Sequence, residues 1–496
     1  MKHVVLISMP DIAPVIIHEM AIHMPNLGIA AVGGNIDRNH RVHTIDLIRK
    51  RRGVRRYLTR TLNRLQPDIV GLSAMAWQYP TCVRIIDLIR RLLPDVKIAI
   101  GGYHATLMAE EIAASPEAGQ IDFMIRGEGE DAFRRLVNAL DGDGQLGEIP
   151  SLSYRQNGRF IHNPPGDLLD LSTLGLPIRD RRRLTWGYHV MYNPIEVMET
   201  SRGCTRSCNF CSIRHMYGKS FRTYPLDRVI ADIDDIYYNR KTCWIFIADD
   251  NMVLDPDWVM TVSEAIIRKG YRRLNLVVQA DCLAMAKNEP MVRLMARAGV
   301  KSVFLGIENV SSKNLARAHK GNTAAISRKA VENCHKHGIM VIGGLVLGFP
   351  DDDDRSIIEN YEFFNSLGVD GAYCQILTPY PKTGIRRDLM AEGLVTNPHR
   401  YETYNGLWAN LRTHHLTADE LQYAFWYHKQ TVLGWWNPSE LVRRDGKLWT
   451  DIWRVAFKPV LKFFIDRQLR KDGWDGRYRA ELERLSRMNR FPDLEI

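Results

Sequence analysis

Along the first ~140 residues, short apolar runs alternate with amphipathic stretches. The runs are VVLIS (4–8), HTIDL (43–47), DIVGLSA (68–74), KIAIGG (97–102) and FMIRG (123–127). Strand and helix in alternation predict βαβ units and an open parallel sheet wrapped on both faces. Such sheets bind ligands beyond the carboxyl ends of their strands. The residues at those ends are Ser73, Gly101, Gly102, Gly127 and Glu128. Two glycines closing a buried strand let a ligand approach the backbone where a Cβ would obstruct it. A plain tight turn would use the same two glycines.

Residues 151–190 break the alternation with a hairpin signal (strand, Gln156-Asn157-Gly158, strand) and then Asn163-Pro164-Pro165-Gly166. They read as a linker. The alternation resumes with IEVMETS (195–201), CWIFIADD (243–250), LNLVVQAD (274–281), SVFLGIE (302–308), MVIGGLVLGF (340–349) and GAYCQIL (371–377), each followed by a helical stretch. Such a run of βα units predicts a partial parallel barrel whose reactive end is formed by the carboxyl ends of its strands. After residue 395 the pattern turns helical. The expected architecture is α/β: a Rossmann-like N-terminal domain over 1–150, a linker over 151–190, a partial (β/α)6 barrel over 191–395 and a mainly helical C-terminal domain over 396–496.

Composition narrows the setting. A chain of 496 residues is too long for one ordinary core. Its longest apolar stretches, such as residues 338–350, fall short of a membrane span. The opening MKHVVLISMP lacks the layout of a signal peptide, so none is expected. Eight cysteines, unevenly placed, do not make a disulfide scaffold, and a reducing, cytoplasmic compartment is expected. The net charge of +10 raises the question of nucleic acid. The basic runs at 49–60 and 179–183 are short and lack interleaved aromatics, so they read as a solvated helix face or linker. No nucleic-acid partner is expected.

Three cysteines stand together as Cys204-x-x-x-Cys208-x-x-Cys211, in the loop after the 195–201 run. Three thiolates can hold three irons of a [4Fe-4S] cubane and leave the fourth iron open to a substrate group. A Cys₃His zinc site completed by His215 is the rival, since that spacing also suits zinc. The strand–helix run downstream decides for the cluster, because a zinc knuckle has no use for it. Cys82, Cys243, Cys282, Cys334 and Cys374 stand singly in apolar surroundings, as small buried hydrophobes do.

Two resemblances extend this reading. The order PNLGIAAVGG, GLSAM, GGYHAT and RGEGE resembles the cobalamin-binding domain at the front of many radical S-adenosylmethionine (SAM) enzymes. The Asp-x-His-x-x-Gly loop that supplies a cobalt-ligating histidine in the cobalamin-dependent mutases does not occur, and His40, His43 and His104 lack its spacing. In the radical SAM subgroup that loop is often missing. SRGCTRSCNFCSI resembles the radical SAM signature, which implies that Cys204, Cys208 and Cys211 carry the cluster and that SAM binds its open iron.

The resemblance also implies SAM or substrate contacts further on. They fall on Asp249 and Asp250 at the second strand end, Gln279 at the third, Glu308 at the fourth, Gly344 and Gly348 on the fifth, and Gln375 and Thr378 on the sixth. Asp351 stands where glutamate is commoner, and Lys382 where the family has glycine. Singly, Asp249, Asp250 and Glu308 could be helix N-caps; the run Asp351 to Asp354 reads as a solvated, helix-starting cluster.

The implied activity is C-methylation: one SAM methylates cobalamin, another yields the 5′-deoxyadenosyl radical, and the substrate radical takes the methyl group. Radical cyclisation, ring rearrangement or carbon–carbon coupling without methyl transfer is the alternative. An external electron donor of the flavodoxin or ferredoxin type and a small-molecule or lipid-like substrate are expected. The tail adds Trp408, Trp426, Trp435, Trp436, Trp449, Trp453 and Trp474. Within 449–471, Trp449, Trp453, Phe457, Val460 and Phe464 share one stripe, and Arg454, Lys458 and Lys462 form a basic one. That suits either a peripheral anchor on the inner face of the membrane, kinked at Pro459, or a helix packed on the barrel.

Overall fold

The computed structural model describes residues 1–12, 22–142, 144–190, 193–433 and 458–494. The side chains of residue 22 and of residues 458–472 are not described. Two sheets organise the chain. The first contains β1 (His3–Ser8), β2 (Arg41–Asp46), β3 (Ile69–Ser73), β4 (Lys97–Gly101), β5 (Phe123–Ile125), β6 (Leu152–Gln156) and β7 (Arg159–His162). Their order is β2-β1-β3-β4-β5-β6-β7. The strands up to β5 are parallel, and β6 and β7 are antiparallel. Their Val and Ile side chains are buried on both faces of the sheet, as a parallel sheet covered by helices requires. The order reverses between β1 and β3, and a crevice opens at such a point.

The hairpin read within 151–190 forms. Asn157 and Gly158 both take positive φ (51° and 79°), the turn that suits the twist of paired strands. It does not remain in a linker, because β6 pairs with β5 and extends the first sheet to His162. The basic run 179–183 also departs from the solvated reading. Arg179 and Arg182 are buried, Arg179 on Asp232 (2.6 Å) and Arg182 on Glu196 (2.7 Å). Paired guanidinium–carboxylate geometry makes such burial tolerable.

The second sheet contains β8 (Asn193–Met198), β9 (Trp244–Ile247), β10 (Asn275–Asp281), β11 (Val300–Glu308), β12 (Met340–Leu347) and β13 (Gly371–Ile376), parallel and in sequential order. This is the expected partial barrel. Two short antiparallel strands, His189–Val190 and Ile22–His23, extend its β8 edge, so a piece of the N-terminal region crosses onto the second sheet.

In the helical C-terminal region, α1 (Ala418–His428) and α2 (Lys458–Met488) meet through aromatic rings. Trp474 stands 6.0 Å from Trp426 and 5.0 Å from Tyr427 between ring centroids. Those two tryptophans therefore pack against protein. Trp435, Trp436, Trp449 and Trp453 lie outside the described residues. Within the described part of α2 the non-helical residue is Gly473 (φ 65°), not Pro459. No helix among the described residues is long and apolar enough to cross a membrane.

Candidate functional site

The crevice of the first sheet is shaped by missing side chains. A Cβ on Gly127 (φ 73°) would meet nothing within 4 Å, and one on Gly101 nothing nearer than 3.9 Å. Both leave open space against bare backbone. Gly102 has a different reason to be glycine: its φ is 88° and a Cβ would stand 3.0 Å from the Ala74 carbonyl oxygen. Ser73, Gly101, Gly102, Gly127 and Glu128 all line one cavity, whose inner part is apolar, with Leu6, Ile29, Ala99, Ile125 and Phe133 among its walls. An apolar slot closed by glycines fits the flat heteroaromatic base and tail of a cobalamin. Gly71 belongs with this set; a Cβ there would stand 2.7 Å from Leu6. Its signal in the sequence is a lone glycine inside a strand.

Glu128 borders the cavity as well, and its carboxylate accepts from Arg202 (3.1 Å), Arg222 (3.0 Å) and the Leu169 amide (2.9 Å), so it also serves as a tie between domains. The histidines are engaged elsewhere. His40 accepts from the Lys2 amide, and His43 meets His3 edge to face. His104 is buried between Tyr79 and Tyr401, and burial pushes its pKa down to about 4, leaving it neutral.

The cysteine loop leaves β8 through Ser201–Arg202, which pair with Arg222–Thr223. Asp249 is fully buried beneath it and accepts from the Thr200 amide (2.6 Å), the Thr200 hydroxyl and the Ser201 hydroxyl (2.6 Å). Through these bonds it positions the segment ahead of Cys204. Asp250 accepts from the Gly203 amide (2.9 Å), and burial pushes its pKa up to about 7. Gly203 (φ 87°) must be glycine, since a Cβ would stand 2.5 Å from the Ser220 carbonyl oxygen. Further along, the Asn209 amide donates to Ala318 and its carbonyl accepts from Ile385, which sews the loop to both flanks of the barrel mouth.

Cys204, Cys208 and Cys211 are free and half-buried, and the Cys211 amide donates to the Cys208 carbonyl (3.2 Å). Burial pushes all three thiols up, Cys211 to about 12. Bare thiolates are thus disfavoured there, and iron would supply the missing positive charge. Beside them the buried Asn251 Oδ1 has no hydrogen-bond partner among the described residues, while Asn251 Nδ2 donates to Asp281 (2.9 Å). An orphaned acceptor and three thiols suit a cluster with an added ligand carrying an amino group. His215 lies against the Lys382 backbone, and no three His, Cys, Asp or Glu side chains among the described residues converge as ligands of a single metal ion.

The remaining strand ends divide. Gln279 Nε2 donates to the Asp249 carbonyl (3.1 Å), so its amide also braces the second strand end. Glu308 sits at a β-bulge with φ 71°, a conformation unfavourable for a residue with a Cβ, and pairs with Lys320 (2.7 Å). Burial alone would lower the Lys320 pKa, but Glu308 and then Cys208 hold it above the usual lysine range. Lys320 had no signal in the sequence, since it follows an exposed-looking helix.

At Gly344 and Gly348 a side chain would crowd the packing: a Cβ would stand 2.9 Å from Phe304 in one case and 3.0 Å from Leu421 in the other. Thr378 is buried with its hydroxyl on the Ile376 carbonyl (3.1 Å), and Gln375 donates to the Tyr373 hydroxyl. The acidic run spends itself locally. Asp351 pairs with Lys313, Asp352 holds the Gly348 and Phe349 amides, Asp353 caps a helix, and Asp354 meets His428. Lys382 keeps the left-handed backbone (φ 63°) and reaches Glu111 of the first domain (3.1 Å).

The two sites share a wall. Glu199, Arg202, Met216 and Tyr217, which flank the cysteine loop, line the glycine cavity together with Glu128 and Glu130. Met216 and Tyr217 end the short helix Ile213–Tyr217 that follows Cys211.

Comparison with known proteins agrees with this pairing. Residues 14–137 match the B12 binding domain and residues 198–364 match the radical SAM superfamily. An uncharacterized methyltransferase of Pyrococcus horikoshii is 29% identical over 80% of this chain and 85% of its own length. The hopanoid C-3 methylase of Methylococcus capsulatus is 29% identical over 65% of this chain and 61% of its own length. The fold is shared with the radical SAM methyltransferase TsrM of Kitasatospora setae, solved with cobalamin and a [4Fe-4S] cluster: TM-score 0.65, 19% identity, 80% of this chain and 76% of that one. With a glycine-lined cavity and a three-cysteine loop facing each other, and a B12 binding domain followed by a radical SAM domain, the chain belongs to the cobalamin-binding radical SAM enzymes.

Proposed function

We propose that the protein is a cobalamin-dependent radical SAM C-methyltransferase acting on a hydrophobic substrate. The observation that carries the reading is the wall common to the two sites, in which Arg202, Met216 and Tyr217 of the cysteine-loop region line the glycine cavity. When bound, the cluster supplies the electron that cleaves SAM to a 5′-deoxyadenosyl radical, and cobalamin supplies a transferable methyl group.

The chain's own residues hold and orient. Cys204, Cys208 and Cys211 would ligate three irons. Gly101 and Gly127 leave backbone open to the cavity and would admit a cobalamin there, and the apolar walls between Leu6 and Phe133 would shield it from water. Asp249 fixes Thr200 and Ser201 ahead of the loop, Asp250 fixes Gly203, and the Glu308–Lys320 pair sets a cation beside Cys208. Support for methyl transfer comes from the methyltransferase and methylase relatives, and for a lipid-like substrate from the hopanoid methylase and the tryptophan-rich tail. Peripheral attachment to a membrane rests on the basic stripe of Arg454, Lys458 and Lys462.

The test is anaerobic reconstitution with SAM labelled on its methyl group, reductant and a lipid extract. Release of 5′-deoxyadenosine with label in an extractable product is expected. Release of 5′-deoxyadenosine with label retained only on cobalamin would overturn methyl transfer in favour of cyclisation or rearrangement.

A further inference from the structure

We propose that Arg202 is a positioning residue that couples occupancy of the glycine cavity to occupancy of the cysteine loop. Its guanidinium serves three carboxylates at once: Nη1 donates to Glu128 (3.1 Å), Nη2 to Glu130 (2.6 Å) and Nε to Glu199 (2.8 Å). Glu128 and Glu130 belong to the first domain, where they flank Gly129 at the start of the helix Gly129–Leu140. Glu199 and Arg202 belong to the exit of β8, and Arg202 is followed directly by Gly203 and Cys204. Most of the set is withdrawn from water: the side chains of Arg202, Glu128 and Glu130 are 6%, 4% and 5% exposed, while that of Glu199 is 19% exposed.

Three carboxylates share two guanidiniums, since Arg222 adds a second cation at Glu128 (3.0 Å). Desolvated charges of this kind tolerate little displacement, because a carboxylate that loses its arginine stays buried without compensation. A ligand seated on Gly127 fixes the turn that presents Glu128 and Glu130, and through them the guanidinium. From the other side, Gly203 is pinned to Asp250 and cannot carry a side chain, so ordering the cysteines orders Arg202. Met216 and Tyr217 of the helix after Cys211 also line the cavity, which leaves the loop little room to move independently of it. Linkage makes the effect reciprocal: whatever the cluster adds to cobalamin binding, cobalamin adds to cluster binding.

This inference rests on the assignment of cobalamin and cluster to the two sites. It is tested by titrating hydroxocobalamin into the full chain, followed by absorbance, before and after anaerobic cluster reconstitution. Reconstitution is expected to tighten hydroxocobalamin binding by roughly 5- to 150-fold in the wild type. Arg202→Met is expected to bring that ratio towards unity, the ratio being taken between the variant's own affinities with and without the cluster. Arg202→Lys, which keeps the charge without the fork, should restore part of it.

With the cluster left oxidised so that no electron is exchanged, the visible circular dichroism of bound hydroxocobalamin should change on reconstitution of the wild type and stay unchanged in Arg202→Met. If Arg202→Met does not fold, Glu130→Gln breaks the same link from the other domain and is read in the same way. A ratio of unity in the wild type, or an unaltered ratio in the variants, overturns the coupling. A wild type that binds no hydroxocobalamin or takes up no cluster overturns the site assignment instead.

Discussion

The glycine cavity and the cysteine loop reach their purposes by opposite means. In the first, recognition is written in absent atoms: Gly101 and Gly127 leave volume, Gly71 and Gly102 let strands and turns close tightly, and the lining is mostly apolar. In the second, nearly every polar atom is engaged, with Asp249, Asp250, Gln279 and Asn209 fastening the backbone around three thiols. A site that binds a large, preformed organic group needs shape. A site that assembles a metal cluster needs reactive side chains on a rigid loop.

Removing one ligand should break the contrast most severely. Cys208→Ala is expected to abolish the iron–sulfur absorbance after reconstitution and reduce 5′-deoxyadenosine release to background, with hydroxocobalamin bound only as tightly as by the cluster-free wild type. On the shape side, Gly101→Val adds atoms where no protein atom stands within 3.9 Å of a Cβ. It should weaken hydroxocobalamin binding by roughly 100-fold, about 3 kcal/mol, at little change in melting temperature.

Gly71→Ala sharpens the distinction, because its Cβ would stand 2.7 Å from Leu6. It should lower stability by about 1–3 kcal/mol, measured by denaturant unfolding.

A smaller effect tests how the two regions treat a buried carboxyl. Asp249 has three donors, whereas Asp11 has the Thr81 hydroxyl (2.9 Å), and its Oδ2 has no partner among the described residues. Burial pushes the Asp11 carboxyl up from 3.8 to about 7. The folded chain then holds that proton more tightly than the unfolded chain does. Its contribution to stability is fully present below about pH 4 and is lost as pH rises through about 7. Asp11→Asn should lack that slope, so the difference in melting temperature between the two proteins should vary with pH across this window. The smallest change is expected from Lys382→Gly. Relief of a left-handed lysine (φ 63°) is offset by loss of its exposed pair with Glu111, leaving a stability change within about 1 kcal/mol.

Both sheets were legible because buried parallel strands must be apolar runs and their turns must be marked, as Asn157-Gly158 marks the hairpin. The cysteines and the glycine pair were legible for a related reason: chemistry and close approach each restrict residue type. What escaped was partnership. Nothing in a one-dimensional string shows that Asp249 meets Thr200 and Ser201. Arg179 and Arg182 looked solvated because the acids that accept them, Asp232 and Glu196, lie on other elements. Arg202 gave no sign beyond its place beside the cysteine motif, since two of its three carboxylates come from the other domain.

Phe491 and Leu494 are buried in the core of the first sheet, among side chains such as Val5 and Leu58. The other buried members of that core lie between Val5 and Met124, so the ribosome makes its last two side chains long after the rest. Until residues 489–494 emerge, Asn489 cannot bind the Ile12 backbone, and the patch that Phe491 and Leu494 cover stays open. A nascent chain would therefore expose that apolar patch for most of its synthesis, and a truncation that removes Phe491 and Leu494 would disturb the first domain.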